Sequence, residues 1–304
     1  MKVIVTGGAG FIGSHIVDKL LELKYEVVVI DNLSTGLKSN LDLSKVRLYD
    51  NDIGEEFHFI EQIFNREEPD IVYHLAAKPG VPMSVKFPIE THNTNVNGTL
   101  NVLEASRNSG VRRVVFSSSS SVYGGTFVQP TPETQPLNPK SPYAAHKMIC
   151  EKYCKLYSEI YGLDTVCLRY FNVFGSRQRH DSPYAAVIPA FINCAKTGKT
   201  PVIYGDGEQC RDFCYITNVV AANLFAGNYH KPFDGLAFNV GCGEKITINK
   251  VHELSGAPKA KHMEERAGDV RRSQADMWRL KTLGFIPSVS FEEGMRKLMN
   301  EDNN

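Results

Sequence analysis

The sequence predicts an α/β protein: a doubly wound parallel sheet followed by a second, smaller α+β domain. Three observations carry that prediction. In the first half, short and nearly continuous apolar runs alternate with longer amphipathic stretches, as parallel strands covered by helices on both faces do. A glycine-rich turn stands where the first strand meets the first helix. Beyond Phe171 the alternation gives way to shorter segments punctuated by Pro183, Pro189, Pro201 and Pro232.

The elements follow in order. KVIVT (2–6) is too short for a helix and rich in β-branched residues, and EVVVID (26–31) repeats the pattern. A helix is expected between them over 12–23. DIVYHLA (70–76), RRVVFSS (112–118) and DTVCLRY (164–170) complete the strands, with helices expected over 95–109 and 143–161. The first domain is therefore placed at 1–170 and the second at 171–304, with 211–240 a candidate to cross back to the first.

Composition bounds the partners. The chain has 304 residues, 42% of them hydrophobic and 22% charged, which disfavours disorder. Lys+Arg and Asp+Glu balance at 34 each with no basic stripe, so neither nucleic acid nor an anionic membrane is expected as a partner. No apolar run reaches the roughly 18 residues that span a bilayer, and MKVIVTGG reads as a strand, not a signal peptide. Cys150/Cys154 and Cys210/Cys214 lie four apart, without the closer spacing of a zinc or redox site. The seven cysteines are read as reduced thiols of a cytoplasmic protein, and no metal is expected.

TGGAGFIGSH (6–15) sets Gly7, Gly10 and Gly13 three apart, with Ile12 opening the helix and Phe11 just before it. Glycines allow a tight turn and close approach to a pyrophosphate, and a helix N-terminus offers N–H groups and partial positive charge. With a strand before it, a helix after it and Asp31 ending the next strand, this is the Rossmann-type dinucleotide pattern. Asp31 suits ribose hydroxyls and would repel a ribose phosphate, so NAD is favoured over NADP. Asn32, beside it, and Asp52 and Ile53 farther along are candidates to bracket the adenosine.

SPYAAHK (141–147) places Tyr143 and Lys147 on one helical face. A free tyrosine has a pKa of about 10, so ionising it at pH 7 costs roughly 4 kcal/mol. One positive charge at about 4 Å offsets on the order of 4 kcal/mol at an effective dielectric of about 20. Lys147 and an oxidised nicotinamide would each supply such a charge.

Together with HLAA (74–77), NVNGTLNVLEA (95–105), SSVYG and RYFNVFG (169–175), these motifs make the chain resemble the extended short-chain dehydrogenase/reductase superfamily, and within it the UDP-hexose 4-epimerases. The resemblance implies NAD as cofactor, Tyr143 as acid/base, Lys147 as its electrostatic partner, and a serine completing the set. The VYG register makes that serine Ser119, whereas the spacing back from Tyr143 would give Ser118. It further implies cofactor contacts from Leu75, Ala76, Ala77, Asn95, Ser117, Ser118 and Tyr170. Substrate contacts are implied from Gly80, Val81, Ser120, Asn172, Ala186, Val187 and Tyr204, with Arg211 and Arg266 on the diphosphate and Asp269 on the ribose.

Related dehydratases carry an Asp-Glu pair where this chain has Ser120-Ser121, which disfavours loss of water. Ser273 stands where a bulky tyrosine can restrict relatives to plain hexoses. Its small size leads to the expectation of UDP-N-acetylglucosamine 4-epimerisation, with UDP-glucose as a further substrate. The alternatives are a uronic-acid 4-epimerase, a sugar-nucleotide reductase or dehydrogenase, and a non-catalytic NAD sensor. The resemblance also implies a homodimer through helices 95–109 and 143–161. Residues 251–265 are shorter than in most relatives.

Overall fold

Six strands, β1 (Lys2–Thr6), β2 (Glu26–Ile30), β3 (Val46–Tyr49), β4 (Ile71–His74), β5 (Arg113–Ser119) and β6 (Asp164–Tyr170), join Ala237–Val240 in one seven-stranded sheet. The structure is a computed structural model and describes residues 1–179, 186–265 and 270–301. From one edge the order is β3-β2-β1-β4-β5-β6 and then Ala237–Val240. Strands β3 to β5 pair in parallel, with Thr6 opposite Ile30 on one side and His74 on the other. The strand order reverses between β1 and β4, so a crevice opens beyond their carboxyl ends, where this fold binds ligands.

Contacts divide the chain into two units. The first comprises 1–124, 137–169 and 220–238; the second comprises 125–136, 170–219 and 239–304. Residues 125–136 differ from the sequence expectation, which left them in the first domain. Long-range backbone bonds explain the difference: Thr131 N–H donates to Gln274 C=O at 2.8 Å, and Asp276 N–H to Thr131 C=O at 3.0 Å.

In the first unit, helices α1 (Phe11–Glu22), α2 (Phe57–Glu67), α3 (Val81–Lys86), α4 (Pro88–His92), α5 (Gly98–Asn108) and α6 (Pro142–Tyr161) surround the sheet strands. Apolar faces of α2, α5 and α6 close over Ile4, Val28, Val72 and Val114 in one core. The helix expected over 95–109 is interrupted. Asn93–Asn97 forms a π-helical turn, after which α5 begins at Gly98. The freed Asn95 carbonyl instead accepts from the Thr99 hydroxyl at 2.6 Å and the Cys150 thiol at 3.1 Å.

Helix α6 has local start and stop signals. The Ser141 hydroxyl accepts the Ala144 N–H at 3.2 Å, Pro142 opens the first turn, and Gly162 closes the helix at φ 70°. In the second unit, Val202–Tyr204 pairs with Lys261–Met263 in parallel and Cys210–Arg211 with Ile246–Thr247 antiparallel. Among the described residues no helix is long and apolar enough to cross a membrane, and no cluster of His, Cys, Asp and Glu could hold a metal.

Candidate functional site

The glycine turn is packed to its steric limit. A Cβ on Gly7, at φ +69°, would stand 2.7 Å from the Ala76 nitrogen, and one on Gly13 would stand 2.1 Å from the Gly7 carbonyl oxygen. The turn is thus seated on Leu75 and Ala76 beyond β4, with Gly10 presenting the N-terminus of α1. The Asp31 carboxylate accepts the Ala9 N–H at 2.9 Å and the Leu33 N–H at 2.8 Å, tying the end of β2 to the glycine turn. Burial raises its pKa above the usual carboxylate value, against those two hydrogen bonds. This cradle and its acidic neighbour fit a dinucleotide.

The neighbouring candidates are placed as follows. Asn32 donates to Asp52 at 2.7 Å, and Asp52 also accepts the Gly54 N–H at 2.8 Å, so these two brace one another. Ile53 is buried in the core against Gly98. The Asn95 side chain grips both backbone groups of Lys78, at 2.7 and 3.1 Å, and so orders the chain leading to Gly80 and Val81.

Beneath them runs a network that sequence reasoning missed. Because Thr99 donates to the Asn95 carbonyl, its oxygen accepts from His74 Nε2 (3.0 Å). Nδ1 then accepts from Thr6 (2.7 Å), and Thr6 accepts the Ala76 N–H (3.2 Å). His74 is therefore neutral and of one tautomer, and burial takes its pKa down to about 3.

At the carboxyl end of β5 the serine run separates into individual tasks. The Ser117 carbonyl accepts from the Lys147 ammonium at 2.7 Å. The Ser118 hydroxyl donates to Glu151 at 2.5 Å and is engaged inside the protein. The Ser119 side chain acts to lower the pKa of the Tyr143 phenol, and its Oγ accepts the Ser121 N–H at 3.2 Å. Ser120 begins a short 3-10 turn.

The Tyr143 ring is half-buried, and its N–H donates to the Ser84 hydroxyl at 3.0 Å, fixing the start of α6. Burial pushes the phenol up to about 12, opposed by the Ser119 hydrogen bond and slightly reinforced by Cys150. The Lys147 ammonium sits 6.0 Å from the Tyr143 ring centroid and 4.7 Å from that of Phe116. Burial lowers its pKa. A phenol with a hydroxyl partner and a nearby ammonium can exchange a proton with a hydroxyl placed beside it.

The second unit holds a cavity of about 320 Å³ that gathers Asn172, Ala186, Val187, Tyr204 and Arg211, five of the predicted substrate residues. Arg211 is steadied by the carbonyls of Cys210, at 3.0 Å, and Val270. The Ser273 N–H donates to the Cys210 carbonyl at 3.2 Å, one residue from Arg211. Tyr170 is buried in the same unit. Arg266 and Asp269, like Tyr184 and Ala185, lie outside the described residues.

Three further residues of this unit were missed. Gln178 and Gln209 line the cavity, and among the described residues each has a buried side-chain oxygen without a partner. Asp212 is fully buried and accepts the N–H groups of Cys242, Gly243 and Ala275 at 2.8–2.9 Å. Burial pushes its carboxyl up to about 6 against those bonds. The only sequence signal for it was its position beside Arg211.

Residues 3–241 match the profile of the NAD dependent epimerase/dehydratase family. The chain belongs to this family. The epimerase/dehydratase chain is 38% identical to a putative UDP-glucose 4-epimerase of Methanocaldococcus jannaschii, over 98% of this chain and 97% of the relative. Among solved structures, a Thermotoga maritima UDP-glucose 4-epimerase with UDP-glucose superposes at a TM-score of 0.94, with 39% identity, covering 100% of this chain and 99% of that one. A Methanobrevibacter ruminantium UDP-N-acetylglucosamine 4-epimerase in complex with UDP-N-acetylmuramic acid gives a TM-score of 0.92 and 42% identity, over 98% and 97% of the two chains. NAD is accordingly the cofactor of this family member, and the glycine turn with Asp31 is where its residues fit one.

Proposed function

We propose that the chain interconverts 4-epimers of a UDP-hexose, with UDP-N-acetylglucosamine and UDP-N-acetylgalactosamine the preferred pair and UDP-glucose a further substrate. The observation that carries the reading is the Tyr143 phenol set beside the Ser119 side chain, which opposes its burial-raised pKa, and the Lys147 ammonium, 6.0 Å from the ring centroid. When bound, NAD supplies a reversible two-electron acceptor for the sugar carbon. Gly7, Gly10, Gly13, Asp31, Leu75, Ala76, Ala77 and Lys147 would hold it.

Tyr143 takes the proton of the sugar 4-hydroxyl and later returns it to the same oxygen. Ser119 orients the phenol, and Lys147 stabilises the phenolate. Ser120 and Ser121 place no carboxylic acid beside the sugar, so nothing there assists loss of water.

In the second unit Arg211 suits the diphosphate. The oxygens of Gln178 and Gln209, without a partner among the described residues, suit an N–H donor such as the uracil imide. The name of the M. ruminantium relative and the small Ser273, held next to Arg211, support an N-acetylated sugar. A homodimer through α5 and α6 accords with the exposure of Leu156, Ile160 and Tyr161 on α6. A cytoplasmic location accords with the seven free cysteines and with a nucleotide-sugar substrate.

The test is incubation of the purified protein, without added NAD, with UDP-N-acetylglucosamine, UDP-glucose and UDP-glucuronate, separating the products. Formation of the N-acetylated 4-epimer supports the reading. Conversion of UDP-glucuronate alone would replace it with the uronic-acid reading.

A further inference from the structure

Helix α6 carries a third residue on the face that presents Tyr143 and Lys147: Glu151, one turn beyond Lys147. Its carboxylate is buried under the end of β5. One oxygen accepts from the Ser118 hydroxyl at 2.5 Å and from Arg169 Nε at 2.9 Å; the other accepts from Arg169 Nη2 at 2.6 Å. Arg169 Nη1 donates to the Tyr123 phenol at 2.9 Å, and its guanidinium lies 4.9 Å from the Tyr123 ring centroid. Glu151, Arg169, Ser118, Tyr123 and Lys147 are all at most 6% exposed.

A buried ion pair is a poor way to gain stability, because desolvating two charges cancels most of their attraction. Its geometry here suggests a different role. Ser118 and Ser119 are consecutive on β5, and Lys147 and Glu151 are consecutive turns of α6. One carboxylate thus locks the strand that carries Ser119 to the helix that carries Tyr143. Arg169 fixes the carboxylate from β6 and the 3-10 turn after β5 through Tyr123.

The same carboxylate bears on Lys147. Burial lowers the Lys147 pKa, and Cys150, Cys154 and Glu151 oppose that effect. Cys150 is itself pushed up to about 12 by burial, whereas Glu151 is held in an ion pair with Arg169 at 2.6 Å.

We propose that Glu151, clamped by Arg169, is a positioning residue that holds Ser119 in register with Tyr143 and Lys147. The proposal rests on the proton-transfer part of the epimerase reading and is independent of which UDP-sugar is preferred.

Two variants test it, each assayed with whichever UDP-sugar the wild type epimerises best. Glu151→Met/Arg169→Met removes both buried charges at similar volume, a replacement that leaves stability neutral or improved when a pair is merely structural. Ser118→Ala leaves the ion pair intact and cuts only its grip on the strand. The expected result in both is a thermal midpoint near the wild-type value, retained NAD and a KM within about twofold. The kcat should fall by on the order of 10-fold to 100-fold, as a displacement of about 1 Å in reacting groups produces.

The acid limb of the kcat profile should also move to higher pH, because a misaligned phenol loses its Ser119 and Lys147 support. Wild-type kcat and pH profile in either folded variant overturn the proposal. Failure of the wild type itself to epimerise any UDP-sugar would overturn the epimerase reading instead. The register would then be read directly, as the phenolate absorbance of Tyr143 against a Tyr143→Phe reference; an unshifted titration in both variants would overturn the proposal as well.

Discussion

Replacing Lys147 by methionine keeps the length of the side chain and deletes its charge. The Lys147 ammonium lies 6.0 Å from the Tyr143 ring centroid. At an effective dielectric of about 20, Coulomb's law gives an interaction of about 3 kcal/mol between it and a phenolate there, equivalent to about 2 pKa units. Burial already holds the phenol up at about 12, so every nearby cation counts toward a working acid/base at neutral pH. Lys147→Met should move the acid limb of the kcat profile upward by about 2 units, which at a pH below that limb is a fall of about 100-fold. The assay is kcat against pH from about pH 5 to pH 10 with saturating UDP-sugar. NAD content per chain is measured in parallel, so that a lost cofactor is not mistaken for a shifted phenol. A variant profile that is lower at every pH by one constant factor, with its limb unmoved, would refute the electrostatic role assigned to Lys147.

Ser273→Tyr should reduce kcat/KM for UDP-N-acetylglucosamine by on the order of 100-fold while changing UDP-glucose by only a few-fold, since steric exclusion acts on the acyl group alone; equal losses on both sugars would remove the gate. Asp212 has a carboxyl pushed up to about 6 in the folded chain against 3.8 as its ordinary value. The folded state therefore holds its proton to higher pH than the unfolded chain, and the contribution of this group to stability declines by about 3 kcal/mol as pH rises from about 4 to about 6. Urea unfolding of Asp212→Asn beside wild type should show the variant gaining by that amount across the same window, and a constant difference would contradict it. Ile160 is 63% exposed on α6; Ile160→Lys should convert a dimer to a monomer by light scattering, and a wild-type protein already monomeric would end the dimer reading.

The sequence made the apolar strands plain and hid the polar ones. β1 and β6 begin and end where the alternating apolar runs do. Strand β3 has no such run, because Arg47 and Tyr49 interrupt it. In the fold both donate to the buried carboxylate of Glu67, at 2.5–2.6 Å. A strand whose polar side chains are satisfied by a partner twenty residues away looks like a loop until that partner is found. The π-helical turn at Asn93–Asn97 was hidden for a related reason. Helical periodicity survives one extra residue, and the groups that receive the freed carbonyl, Thr99 and Cys150, are identified only by packing. The glycine turn was legible from its spacing and its flanking strand and helix, whereas spacing put Tyr143 and Lys147 only on one helical face and their role was implied by the family resemblance. Glu151, Arg169 and Asp212 were not, because a buried charge is recognised by its partners and a sequence does not show partners.

The five serines of FSSSSSVYGG show how far spacing can go. Composition alone would make the run a flexible linker, but β5 extends through Ser119 and gives consecutive residues opposite faces. Ser118 is committed to Glu151, so it is not available to bond the Tyr143 phenol, and Ser119 is. The two competing registers, one counted from VYG and one from Tyr143, are therefore separated by a hydrogen bond to a residue neither count considered. Ser118→Ala and Ser119→Ala should therefore differ in kind. The first should loosen the strand that carries Ser119 and so weaken its support of the phenol. The second should remove the partner itself and, since the Ser119 hydrogen bond is what opposes the burial of Tyr143, raise the acid limb further. Identical pH profiles for the two variants would mean that the structure divides the labour between these serines wrongly.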